Sequence, residues 1–182
     1  MTFTFTIKSI AFFAILTGAG AAFSHVVLDE PVALAGNSYK AALRVSHGCA
    51  GSPTTAITVR LPAGFQGAKP MPKPGWNLSI RREKLAQPYS SHGKQITDDV
   101  SEIRWTAATP ANWLPDAYFD EFVLRGTLPP TAGALWFKVL QTCETGQLDW
   151  SQLPREGTST QGLTSPAALL ELLPSGPTSH QH

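Results

Sequence analysis

A surplus of charge is missing from this chain. Lys and Arg total 14 against 13 Asp and Glu, and charged residues are 15% of 182. Without a basic excess there is no electrostatic footprint for nucleic acid or an anionic membrane surface, so partners of that kind are not expected. Helical periodicity is scarce. No Ser-His-Asp grouping and no phosphate-cradling glycine loop stands out, so hydrolase and nucleotide chemistry have no support. Beyond the first 24 residues no apolar run is long enough to span a bilayer. Cysteine is limited to Cys49 and Cys143.

What the chain does have begins at its N-terminus. Lys8 precedes the apolar run 10–16, and small residues lead to Ala22-Phe23-Ser24. This is the pattern of a secretory signal peptide over 1–24, cut before His25. Removing 24 of the 182 residues leaves 158, enough for one domain with a sizeable core. An exported, periplasmic or secreted product meets an oxidising compartment, where an isolated cysteine pair is most simply a disulfide. The chain-entropy model assigns a loop of that length roughly 4–5 kcal/mol as an upper figure. A thiolate metal site is the alternative use of the pair.

After His25 the chain reads as short strands punctuated by Pro and Gly. Strands are predicted at 26–29, 38–46, 55–61, 76–82, 102–107, 118–126, 134–143, 147–152 and 167–173. A weaker one over 85–95 includes a turn at His92-Gly93, and the last of the set is read as an edge strand. Residues 47–53 form a loop by composition. The three prolines of 69–75 argue against regular structure there. The tail 174–182 is expected to be disordered. This pattern predicts an all-β, two-sheet immunoglobulin-like or cupredoxin-like β-sandwich over 25–173.

Alternation assigns faces. Tyr118, Asp120, Phe122 and Leu124 share one face, and Phe119, Glu121, Val123 and Arg125 the other. Leu135, Phe137, Val139 and Gln141 share a face, opposite Trp136, Lys138 and Leu140. With Phe122 and Phe137 both inward, Glu121 and Trp136 both point out. If these two strands are antiparallel neighbours, carboxylate and indole meet on one outer face. The simpler outcome is a surface ion pair between Glu121 and Lys138, worth roughly 0–1 kcal/mol.

Cleavage before His25 would leave that residue with a free α-amine beside its imidazole, a pair that can chelate one metal ion. The chain resembles the YcnI-like copper-binding proteins over nearly its whole mature length. The resemblance rests on His25-Val26-Val27, Val45-Ser46-His47-Gly48-Cys49 and Ser52-Pro53-Thr54-Thr55. It continues through Pro72-Lys73-Pro74-Gly75-Trp76, Phe119-Asp120-Glu121-Phe122 and the stretch from Leu135 to Cys143. It implies a β-sandwich holding one Cu(II) through a single-histidine brace. His25 would give its amine and imidazole, Glu121 or Glu30 the carboxylate, and Trp136 an indole against the metal. Such hard and borderline donors suit Cu(II). Met71 is the only methionine left after signal removal, so no methionine-rich Cu(I) site can form. His47 and His92 read as loop residues, and His180 and His182 as a His-x-His on the tail.

The expected role is a non-enzymatic copper carrier, passing the ion to another copper chaperone or a membrane copper transporter. One alternative is an oxidative copper enzyme resembling polysaccharide monooxygenases, which needs a second histidine beside His25. Another is a metal-free immunoglobulin-like binding module.

Overall fold

A computed structural model describes residues 25–176. The signal segment 1–24 and the tail histidines His180 and His182 lie outside the described residues. The strands are β1 (Val27–Leu28), β2 (Val32–Leu34), β3 (Ser38–Val45), β4 (Thr54–Arg60), β5 (Gln66–Pro70) and β6 (Trp76–Ser91). They continue with β7 (Lys94–Ala107), β8 (Asp120–Thr127), β9 (Gly133–Cys143), β10 (Gln147–Trp150) and β11 (Ala168–Leu173). A single 3-10 turn, Pro110–Asn112, interrupts them.

Two sheets form the expected sandwich. One has the order β1-β3-β8-β5, the other β2-β11-β9-β4-β7-β6. Strand β9 shares one edge between two partners, β11 along Gly133 to Phe137 and β10 along Val139 to Thr142. Between the sheets the inward positions of β3 and β8 (Leu43, Phe122, Leu124) meet those of β4, β7 and β9 (Ile57, Val59, Ile103, Trp105, Phe137), all fully buried. Phe122 sits edge-on to Trp105 and Trp76, with ring centroids 5.8 and 5.1 Å away. Burying side chains of this size contributes about 1.5–3 kcal/mol each. The Trp105 indole N–H donates to the Met71 carbonyl (3.1 Å), satisfying the one polar atom that ring brings inside.

The inward parity of Phe122 and Phe137 holds, but their strands are not neighbours. β8 pairs with β3 and β5, and β9 with β4, β10 and β11. The link between them crosses from one sheet to the other. Leu128 is 2% exposed and its N–H donates to the Asn37 carbonyl, so the first residue of the link is drawn into the core. Tyr118, assigned inward by parity, precedes the start of β8 and is 65% exposed.

Three further differences follow from edges. Lys69 and Pro70 belong to β5, where they stand opposite Arg125 and Leu124. Proline is tolerated there because β5 is the last strand of its sheet and Pro70 has no ladder donor to lose on the open side. β11 is not an edge, because the three-residue β2 pairs with it in parallel, Glu171 opposite Val32. The weak 85–95 strand is part of a long β6–β7 hairpin, turned at His92 and Gly93 with φ of 48° and 74°. Two successive positive φ values give the tight turn that matches strand twist.

Candidate metal centre

The described chain starts at one end of the sandwich. Val26 is buried and anchors the start of β1 on the core, leaving His25 half-buried just ahead of it. The His25 ring lies 5.7 Å from the ring of Trp150, tilted by 57°. The His47 ring meets the same indole at 6.0 Å, edge-on at 72°. Two imidazoles therefore flank one tryptophan that is itself 2% exposed.

Gln141 fixes this arrangement from below. It lies at an inward position of β9 and is fully buried. Its Oε1 accepts from the Trp150 indole N–H (3.0 Å), while its Nε2 donates to the Thr54 hydroxyl (2.8 Å) and the His47 carbonyl (2.6 Å). A buried amide is tolerated only when its groups are bonded, and this one ties β10, β4 and the 46–53 loop together.

The loop is held at more points. Cys49 and Cys143 form a disulfide with Cα atoms 5.9 Å apart, as expected from the isolated pair. Cys49 and Ser52 exchange backbone hydrogen bonds of 2.9 and 3.0 Å, and the Gly48 N–H donates to Asp116 Oδ1 at 2.9 Å. A β-carbon on Gly48 would collide with the Ser52 carbonyl, so the turn after His47 requires glycine. His47 Nδ1 contacts the Gly48 carbonyl at 2.5 Å. A carbonyl oxygen only accepts, so in the neutral ring Nδ1 carries the proton.

The other expected ligands are elsewhere. Glu121 is on β8 in the four-stranded sheet, opposite Arg44 of β3. Trp136 is on β9 in the seven-stranded sheet, opposite Leu169 of β11. Both point out as parity required, but from opposite sheets, so a single ion does not touch both. The Glu121–Lys138 ion pair is absent for the same reason, since Lys138 stands opposite Arg60. Glu30 is exposed just after β1, and its carbonyl rather than its carboxylate is engaged, accepting from the Tyr39 hydroxyl (2.5 Å). Burial, reinforced by Glu30 and Asp29, pushes that tyrosine's pKa up to about 12. His92 sits in the distant β6–β7 turn.

Trp150, and the approach of both His25 and His47 to its ring, escaped the sequence reading. The signal that pointed to them was Gln141, a polar residue at inward parity, which had to bond something buried. Among the described residues no group of three or more His, Cys, Asp or Glu side chains could hold a metal ion. Side chains alone therefore do not make a metal site at His25; an ion there would need a further donor, such as the α-amine that removal of the leader would free, and nitrogen donors suit Cu(II).

The fold and its disulfide define an immunoglobulin-like β-sandwich. Among solved structures, an uncharacterized protein from Nocardia farcinica with an immunoglobulin-like fold is 26% identical, with a TM-score of 0.62 over 81% of this chain and 97% of that one. The chain belongs to the family described as Domain of unknown function (DUF1775), which it matches over residues 25–172. The seventh ScaB type I cohesin of Pseudobacteroides cellulosolvens is also similar, at 8% identity and a TM-score of 0.39 over 87% of this chain and 97% of that one, too distant to carry an argument. No curated protein matches. No helix among the described residues is long and apolar enough to cross a membrane.

Proposed function

We propose that the mature chain, beginning at His25, binds one Cu(II) and carries it in the cell envelope. The observation that supports this most is the contact of both His25 and His47 with one buried indole, that of Trp150, where the signal-like leader would be removed. The α-amine and imidazole of His25 and the imidazole of His47 supply the nitrogens, and Trp150 covers one side. The family match starts at the same residue. The proposed role is a periplasmic or secreted carrier that hands copper to another chaperone or a membrane transporter.

A second reading gains from the same geometry. An oxidative copper enzyme needs a second histidine near the N-terminal one, and His47, which contacts the same Trp150 ring, is the candidate for it. The carrier is favoured because the groove beside His25, lined by Pro31, Thr158, Thr160 and Pro166, holds only about 250 Å³. That volume suits a donor atom from a partner better than a polymer chain.

The test is Cu(II) titration of a chain that starts at His25, followed by EPR. One tight equivalent with a nitrogen-rich spectrum is expected. His25→Ala or one added residue ahead of His25 abolishes it, and His47→Ala weakens it by about tenfold or more, the scale of a lost metal donor or supporting group. Equal affinity with the extended N-terminus sinks the proposal. Oxygen-dependent turnover of a reductant that requires both histidines transfers the assignment to the enzyme.

A further inference from the structure

The outer face of the four-stranded sheet carries two charged rows that differ. In the first, Arg44 lies 3.4 Å from Asp29 and stands opposite Glu121, so the cation is met by carboxylates. In the second, Lys40 of β3 stands opposite Arg125 of β8, which in turn stands opposite Lys69 of β5. Residues directly opposite share a face, and like charges so placed repel. All three are exposed, and among the described residues none has an ion-pair partner. The Arg125 guanidinium reaches only the Ser38 hydroxyl, at 3.3 Å.

Beside this row lies a pocket of about 310 Å³ that no carboxylate lines. Val123, Met71 and Pro72 form its apolar part. Val123 has outward parity yet is 8% exposed, because the chain after β5 folds over it, with the Met71 N–H donating to the Val123 carbonyl (2.8 Å). The site thus has a cationic rim of three side chains and an apolar floor.

We propose that this pocket binds a small amphiphilic anion, a carboxylate or phosphate monoester attached to an apolar group. The anionic head offsets the repulsion within the row and takes charge-assisted hydrogen bonds from Arg125 and the lysines. The apolar body displaces water from Val123 and Met71. A bare inorganic anion would leave the apolar floor uncovered, and a neutral apolar molecule would leave the cations unpaired. The proposal is independent of copper.

The experiment titrates the folded mature chain with phenyl phosphate and with octanoate, following the Val123 and Met71 methyl signals by NMR. Inorganic phosphate, benzyl alcohol and phosphatidylglycerol vesicles serve as comparisons. Saturable one-to-one binding of either amphiphile is expected, at least about tenfold tighter than inorganic phosphate or benzyl alcohol, and weakened by added salt. Arg125→Gln lowers affinity by about tenfold through loss of the charged donor, whereas Arg44→Gln in the first row leaves it unchanged. Should Arg125→Gln not fold, Lys69→Gln on the edge strand carries the same expectation. Equal affinity for inorganic phosphate (an adventitious ion only), indifference to both variants, or binding to vesicles without binding to the soluble amphiphiles overturns the proposal.

Discussion

The two ends of β4 are held in opposite ways. At its Thr54 end, the 46–53 loop, β9 and β10 are locked by a disulfide and by the three bonds of a fully buried Gln141. Past its Arg60 end, the outer halves of β6 and β7 run on as a two-stranded arm that is largely exposed. Surface ion pairs lace the arm, Arg82 with Asp98 (2.7 Å) and Arg81 with Glu83 (3.3 Å). One buried group pins it, Asp99, whose Oδ2 accepts from the Tyr89 hydroxyl (2.7 Å) and from the Gly67 N–H of β5 (2.8 Å). Covalent and buried polar restraint is concentrated around the two imidazoles, whereas the arm is held mainly by exposed charges.

Breaking the locked end should cost most. Replacing both cysteines with alanine is expected to lower unfolding free energy by about 2–5 kcal/mol in chemical denaturation. Hydrogen exchange should then rise in the 46–53 loop and stay unchanged in the arm. Gln141→Leu comes next. It strands the Trp150 N–H, at about 1–3 kcal/mol for a buried group left without a partner, and takes one partner each from the Thr54 hydroxyl and the His47 carbonyl. Tryptophan emission should report a loosened Trp150. An unaltered denaturation midpoint would show that the amide does not hold the loop.

On the arm, Arg82→Ala should change stability by less than about 1 kcal/mol, because both partners are half exposed. A loss near that of Gln141→Leu would erase the contrast between the ends. The smallest effect is a pH dependence. The Tyr39 and Tyr89 hydroxyls are both raised to about 12, chiefly by burial. The folded state then holds protons that the unfolded state releases above about pH 10. Stability is complete below that value and falls as pH rises toward 12. Tyr39→Phe and Tyr89→Phe should each flatten that alkaline slope in a pH series of denaturation curves.

Much of the sandwich was legible because alternation is a local signal. The inward positions of Phe122, Phe137 and Gln141, and the His92-Gly93 turn, follow from short stretches of chain. Strand pairing is not local. Glu121 and Trp136 were given the right orientation and the wrong neighbourhood, because nothing in the link 128–132 says that it changes sheets until Leu128 is seen buried. Pro70 hid β5, since proline forbids a central strand but permits an edge. The centre around Trp150 was legible only in outline. His25 and His47 are 22 residues apart and come together through β3 and a loop whose path depends on Gly48, Asp116 and the distant Cys143. Only the inward polar Gln141 marked the place.

The parallel pairing of β2 with β11 has a consequence for timing. Residues 32–34 find their partner only at residues 171–173, and the Ala35 N–H donates to the Leu173 carbonyl. The seven-stranded sheet therefore cannot be completed until residues 171–173 have left the ribosome. Contacts so far apart in the chain form slowly. Truncation near residue 168 would leave the Gly133 to Phe137 edge of β9 bare for another chain to pair with.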